Sequence, residues 1–183
     1  MISMLKKTTL TVVLIAATSL ASAFEVDNLP SKNTAQSSCA KALSGTYLTT
    51  ILNPNSTVAS RSLVTLIEDG NIIVGDSNQG GIVGQYDAFT TSQGTWVCKG
   101  KQSITARLLN FSTTNEGGTS IARTDYVATL NPKTKALGGS ISLSYFGLLN
   151  NPLNGFGRTG GSFTFTGQRL TAQRENPLPV RRQ

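Results

Sequence analysis

The sequence contains no histidine and few acidic residues, with nine Asp and Glu against 16 Lys and Arg among 183 residues. Histidine is the side chain that most often changes charge near neutral pH, and it is the commonest metal ligand. Its absence excludes a Ser-His-Asp triad and most zinc and haem sites. We therefore expect no metal ion and no cofactor, and we assign no catalytic residue.

The positive charge is not arranged as in a nucleic-acid-binding protein. The formal net charge is +7, but Lys6 and Lys7 lie near the start of the chain and Arg181 and Arg182 at its end. No run of basic residues between them is interleaved with aromatic residues, the pattern that nucleic-acid binding would require. We predict no nucleic-acid partner, whereas attraction to an anionic lipid or polysaccharide stays open.

The first 23 residues have the composition of a secretory signal peptide. Lys6 and Lys7 precede an apolar run, residues 10–20, that is too short to span a bilayer. Ala21-Ser22-Ala23 then supplies the small residues of a cleavage site. We expect cleavage before Phe24 and export to the periplasm or the medium, with an uncleaved N-terminal membrane anchor as the alternative.

Cysteine is scarce, and the two that occur are Cys39 and Cys98. An even pair in an exported chain typically forms a structural disulfide. A redox-active dithiol would need closer spacing in the sequence. We predict one Cys39–Cys98 bond, which would join the N-terminal segment to the strand that contains Trp96.

Hydrophobic periodicity divides the rest of the chain into one helix and a series of strands. Residues 31–43 are predicted as a short helix that covers the barrel as a plug or lid, because its apolar content is low. Asp69-Gly70 is predicted as a two-residue hairpin turn. Residues 171–183, with two prolines, are predicted as a disordered tail. The predicted strands are 46–52, 60–68, 71–75, 94–98, 102–112, 119–130, 136–146 and 161–170.

Eight antiparallel strands in sequence are the number that closes an up-and-down barrel. We therefore predict an all-β fold, an eight-stranded antiparallel up-and-down β-barrel with a short N-terminal helix. The barrel domain is residues 45–170, preceded by an N-terminal segment, 24–44, and a β-sandwich is the main alternative. Long connections fall at one end only, so that end should be open, with residues 76–92 and 147–160 as its rim.

The second rim segment contains four large apolar residues, although a loop is normally solvated. They can fold into the mouth, pack on their own barrel, or touch a partner. Both rim segments are therefore predicted as contact surfaces for a membrane surface or a protein partner. The four residues are Leu148, Leu149, Leu153 and Phe156.

Charged and aromatic side chains within the strands are the candidates for a binding site. Arg107, Arg123 and Asp125 lie mid-strand, where they either face water or form a buried, paired group that marks a site. We favour the outward orientation. Aromatic strand residues either fill the core or line a cavity. The predicted ligand-binding set is Tyr47, Trp96, Arg107, Arg123, Asp125, Tyr145 and Phe156.

Short motifs between residues 45 and 170 resemble two barrel families. Gly45-Thr46-Tyr47 in the first strand, Thr124-Asp125-Tyr126 in the sixth and Arg169 at the end of the last are similar to lipocalin motifs. Gly94-Thr95-Trp96 in a middle strand resembles small exported bacterial barrels shaped like allene oxide cyclase. Both resemblances imply a barrel with a central cavity. The first implies carriage of an apolar ligand and the second a cyclisation.

These observations lead to one main hypothesis and two alternatives. The main hypothesis is an exported, soluble barrel that binds a small apolar molecule or a partner at its open end. One alternative is a cofactor-free isomerase or cyclase, which would use tyrosine hydroxyls and the Arg107, Arg123 and Asp125 group inside the cavity. The other is a small outer-membrane β-barrel. The first two differ in whether the three charged side chains face the lumen.

Overall fold

A computed structural model describes residues 34–82, 87–113 and 118–172, with side chains from residue 38 onward. The predicted signal peptide and most of the predicted tail lie outside these residues. Within them, no helix is long and apolar enough to cross a membrane. The elements are α1 (Thr34–Leu43), β1 (Gly45–Leu52), β2 (Val58–Leu66), β3 (Asn71–Asp76), β4 (Ala88–Phe89), β5 (Ser92–Cys98), β6 (Ser103–Thr113), β7 (Thr119–Leu130), β8 (Ala136–Gly147) and β9 (Arg158–Arg169).

Eight of the strands close into a barrel. Their order is β6-β5-β3-β2-β1-β9-β8-β7, and β7 pairs again with β6 along its whole length. All of these pairs are antiparallel. The two-residue strand β4 lies outside the ring and pairs with the end of β6. The predicted eight-stranded antiparallel barrel with a short N-terminal helix is confirmed, and the β-sandwich is excluded.

Strands β5 and β9 begin earlier than predicted, at Ser92 and Arg158, whereas β2 ends earlier because its turn uses more residues than expected. The amide of Ile67 donates to the carbonyl of Asn71, and the amide of Gly70 donates to that of Ile67. Gly70 has a φ of 100°, which glycine adopts without steric cost. The predicted two-residue Asp69-Gly70 turn is therefore wrong. The turn spans residues 67–70, and β2 ends two residues earlier than predicted.

Helix α1 covers the end of the barrel where the connections are short. Cys39 and Cys98 form the predicted disulfide, which ties α1 to the end of β5. Cys39 and Leu43 are buried in the core, and the hydroxyl of Tyr47 donates to the carbonyl of Leu43 at 2.8 Å. Trp96 is anchored near the same end, because its Nε1 donates to the carbonyl of Ile67 at 2.9 Å. The helix is thus the plug that the sequence predicted, and it closes this end.

Two inward-facing glycines mark places where neighbouring strands approach closely. A Cβ atom at Gly94 would overlap the backbone of Arg107, and one at Gly139 would overlap the backbone of Val127. Glycine at such positions allows the tight coiling that closure of a small barrel requires.

The connections described in full at the open end are residues 53–57 and 148–157, and two parts of a third, 77–82 and 87–91, lie at the same end. The core also changes character along the barrel axis. Toward the plugged end, inward side chains are apolar, as at Leu66, Ile104 and Leu137. Toward the open end polar side chains mix with apolar ones such as Ile51 and Ala122. Five polar residues are buried there or just below, Thr49, Ser62, Ser92, Asn110 and Ser112. The fold therefore supports a site at the open end.

Candidate functional site

Polar side chains form two hydrogen-bonded pairs inside the open half of the barrel, Ser62 with Asp76 and Ser92 with Asn110. Ser62, Asp76, Ser92 and Asn110 point inward from β2, β3, β5 and β6, which are consecutive strands of the ring. We call these four residues the polar belt. Ser62, Ser92 and Asn110 are only 2%, 4% and 7% exposed, so their polar atoms rely on protein partners instead of bulk water.

Asp76 carries the only acidic group of the polar belt. The hydroxyl of Ser62 donates to Oδ1 of Asp76. In the described part of the chain, no Lys or Arg forms an ion pair with this carboxylate. Burial raises the pKa of Asp76, and the hydrogen bond from Ser62 opposes that rise only in part. The cause is the cost of removing the charged form from water.

Asn110 leaves one hydrogen-bonding atom without a partner. Its Nδ2 donates to Oγ of Ser92 at 2.9 Å, whereas its Oδ1 is buried with no partner among the described residues. An unpaired buried acceptor costs about 1–3 kcal/mol. Such atoms in a folded protein usually meet an ordered water or a ligand. The belt therefore offers an acceptor to a group that donates a hydrogen bond.

Tyr126 points into the same interior from β7. Its ring packs edge to face against Phe165, with the centroids 5.5 Å apart. Burial raises the pKa of Tyr126 strongly, and the negative charge of Asp76 raises it further. The phenol therefore stays protonated, as a neutral donor close to the polar belt.

A cleft of about 330 Å³ opens at the rim, where β8 ends and β9 begins. Tyr145 lines it with its half-buried ring, and the guanidinium of Arg158 lies 5.0 Å from the centroid of that ring. Burial raises the pKa of Tyr145, Arg158 opposes the rise, and Asp87 adds to it. The lining residues are Ser120, Tyr145, Phe146, Gly147, Asn150, Phe156, Gly157 and Arg158.

Arg107, Arg123 and Asp125 form an ion-paired group on the outer wall. Oδ1 of Asp125 lies 2.6 Å from Nε of Arg107, and Oδ2 lies 3.0 Å from Nε of Arg123. The second contact is an ion pair without the alignment of a hydrogen bond. Because the alternating neighbours Ala106 and Tyr126 are in the core, the three charged side chains face outward. They cannot polarise a substrate inside the lumen.

The two arginines of this group hold the connection between β8 and β9 against the barrel. We call residues 148–157 the rim loop. Nη1 of Arg123 donates to the carbonyls of Pro152 at 2.8 Å and Gly155 at 3.4 Å. Nη1 of Arg107 reaches the carbonyl of Leu153 at 3.5 Å. The Arg123 guanidinium also lies 5.1 Å from the centroid of the Phe146 ring, which is buried beneath the loop.

The rim loop presents its apolar side chains to solvent. Leu149 and Phe156 are fully exposed, at 101% and 104%, and Leu148 and Leu153 are about half exposed. The predicted alternatives in which the apolar side chains fold into the mouth or pack on the barrel are therefore wrong for Leu149 and Phe156. Contact of these two residues with a membrane surface or a protein partner stays a prediction.

The structure divides the predicted ligand-binding set among three places. Tyr145 and Phe156 line the rim cleft together. Arg107 and Asp125 border a depression of about 320 Å³ on the outer wall, whereas the Trp96 side chain faces inward and is buried in the core. Arg123 lies beside that depression and holds the rim loop. Tyr47 is at the plugged end, buried in the core, with the guanidinium of Arg169 6.0 Å from its ring centroid.

None of the four polar-belt residues was in the predicted set, and two of them, Asp76 and Asn110, supply its carboxyl group and its unpaired acceptor. Both continue an alternating apolar pattern, after Ile72 and Val74 in β3 and after Ala106 and Leu108 in β6. A polar residue in phase with inward-facing apolar residues was the signal available in the sequence. Asp76 was missed because the predicted strand stopped one residue before it.

Comparisons with protein families, characterised proteins and solved structures found no match. The barrel has the shape that a lipocalin resemblance implies, and Tyr47 and Arg169 of the quoted motifs do lie together. Membership of either family stays a prediction. In the described ranges, no three His, Cys, Asp or Glu side chains are placed to hold a metal ion. The candidate site therefore rests on its own geometry.

Proposed function

We propose that this protein is an exported binding protein that takes a small, mainly apolar molecule at the open end of its barrel. The molecule carries at least one hydroxyl or amine group. That group donates to the polar belt, while the apolar body lies toward the aromatic rings of the rim cleft. The disulfide supports export, because such bonds persist in oxidising compartments.

The observation that carries this proposal is the incomplete pairing of the polar belt. Asn110 Oδ1 is buried without a partner among the described residues, and no described Lys or Arg forms an ion pair with the partly buried Asp76 carboxyl. A few convergent polar groups with a perturbed pKa, beside apolar walls, are the usual features of a small-molecule site. A ligand that donates to these atoms would remove the cost of leaving them unpaired.

The aromatic rim supports the apolar part of the ligand. The rings of Tyr145, Phe146 and Phe156 line a cleft whose volume of about 330 Å³ is at the lower end of the range for small-molecule sites. The flat faces of such rings contribute a large contact area at little conformational cost.

Native mass spectrometry of the protein recovered from its export compartment tests this proposal. We expect a reproducible adduct whose identified structure is mainly apolar and contains a hydroxyl or amine group. The Asp76→Asn and Asn110→Ala variants should each reduce adduct occupancy about tenfold, because each removes an acceptor that the ligand uses.

The matched control is Asp69→Asn, an exposed carboxylate in the turn at the plugged end. It should keep wild-type occupancy. A clean unliganded mass, an adduct without any donor group, or equal loss in the Asp69→Asn control would each contradict the proposal.

The isomerase or cyclase alternative would have to use other groups than those first predicted. Arg107, Arg123 and Asp125 face outward. The described groups with raised pKa values are instead Asp76 and the three tyrosines Tyr47, Tyr126 and Tyr145. Incubating the identified adduct with fresh protein distinguishes the two functions. Conversion to an isomer with a different retention time would favour the enzyme, and an unchanged compound favours the binding protein.

A further inference from the structure

We propose that the rim loop docks the protein on an anionic lipid surface, with Leu149 and Phe156 inserted at the boundary between headgroups and acyl chains. This surface is separate from the polar belt in the lumen. It shares Phe156 with the rim cleft, whereas Leu149 belongs to the docking surface alone.

Leu149 and Phe156 are more exposed than the apolar residues of the barrel wall. Leu149 and Phe156 are 101% and 104% exposed, whereas exposed apolar residues on the barrel wall, such as Leu63, Val97 and Val127, reach only 48%, 45% and 56%. Single half-exposed apolar residues are normal on a protein surface. Two fully exposed large ones in a single loop indicate a surface that meets an apolar phase.

Contacts from two arginines hold the rim loop in the conformation that exposes these side chains. Arg123 binds two backbone carbonyls of the rim loop and packs on Phe146, and Arg107 reaches a third carbonyl. The loop is therefore held with its carbonyls toward the barrel while Leu149 and Phe156 stay exposed. A surface organised before binding loses less conformational entropy when it docks.

The scarcity of acidic residues around the rim loop favours an anionic surface. The sequence contains no Asp or Glu between Asp125 and Glu175, a stretch that includes the whole rim loop. Arg158 directly follows the loop and is exposed. The single carboxylate of Asp125 forms ion pairs with both Arg107 and Arg123. Asp87 also acts on Tyr145 beside the loop, so three arginines and two carboxylates leave a small net positive charge around it. Each basic residue near an anionic bilayer strengthens binding by about fivefold.

The dimensions of the loop favour a bilayer over a protein partner. A stable protein interface buries about 800 Å² on each side, with some 20–30 residues. The rim loop has only ten residues and offers a few side chains. A fluid headgroup region can surround a few exposed side chains, whereas a protein partner would need a cavity shaped to receive them.

Co-sedimentation with vesicles tests the proposal, using protein recovered after export. We expect binding to phosphatidylcholine vesicles that contain phosphatidylglycerol, weaker binding to phosphatidylcholine alone, and loss of binding as salt is raised. The double variant Leu149→Ser with Phe156→Ser should bind at least about tenfold more weakly, since both apolar contacts are removed. Because both residues are fully exposed, the barrel should fold normally, which the melting temperature checks.

The control is Val127→Ser, which removes an apolar side chain of the barrel wall that is 56% exposed. It should bind like the wild type. A second readout is the Phe156→Trp variant, whose emission should shift to the blue on vesicle binding, while the buried Trp96 contributes a constant signal. Equal vesicle binding by the double variant, or no binding to phosphatidylglycerol vesicles, would overturn the proposal. So would a dimer, seen by light scattering, that the double variant alone abolishes.

Discussion

Asp76 is the residue on which the candidate site depends. It is the last residue of β3, and its carboxyl lies inside the barrel, with the hydroxyl of Ser62 as a donor. A carboxylate without a countercharge is costly in such an interior, which raises the pKa of Asp76 above its ordinary value. The same residue is therefore both a structural cost and a group that can recognise a donor.

This cost predicts a pH dependence of stability with the opposite sign from that of a salt-bridged carboxylate. Because the pKa of Asp76 is raised in the folded state, the folded chain binds more protons than the unfolded one above pH 4 or so. The free energy of unfolding should consequently fall as the pH rises through that window. Urea unfolding at several pH values should show a smaller fall in Asp76→Asn than in wild type. Parallel curves for the two proteins would contradict a raised pKa.

At the scale of elements, the rim loop is held by side chains from strands that are distant in sequence. Arg123 lies 29 residues from Pro152, whose carbonyl it binds. Its side chain is only 12% exposed and interacts at once with Asp125, Phe146 and the loop. The planar guanidinium can make these contacts together, which a lysine cannot reproduce.

We therefore expect Arg123→Lys to loosen the rim loop without unfolding the barrel. Limited proteolysis should cut within residues 148–157 faster than in wild type, and the free energy of unfolding should fall by about 1–3 kcal/mol. Arg61→Lys, an exposed arginine on β2, serves as the control and should change stability by less than about 0.5 kcal/mol. Unchanged proteolysis in Arg123→Lys would show that the arginine does not hold the loop.

The elements were largely predictable from sequence, because alternation with a period of two is a local property. β7 has the predicted bounds, and β8 differs by one residue. Turn geometry was less predictable, since Asp69-Gly70 is compatible with both a two-residue and a longer turn. The tether from Arg123 to the rim loop could not be predicted, because it depends on how β7 lies beside the β8–β9 connection.

At the scale of the whole molecule, the two ends of the barrel have different roles. Helix α1 closes one end, and the Cys39–Cys98 bond ties it there across 59 residues of chain. In the chain-entropy model, a loop of that length contributes about 4 kcal/mol to stability. The polar belt, the rim cleft and the rim loop all lie toward the other end. The sequence predicted this asymmetry from loop lengths, but it could not show which inward residues would be left without partners.

Hydrogen–deuterium exchange is the most direct test of a binding site at the open end. Protein that retains its copurified ligand should be compared with the same protein after the ligand is stripped. Ligand should slow exchange in peptides that contain residues 76–82, 108–112 and 145–158, and should leave the plugged-end turns, 67–70 and 99–102, unchanged. Slowed exchange confined to α1 and the plugged-end turns, or no difference anywhere, would contradict the account.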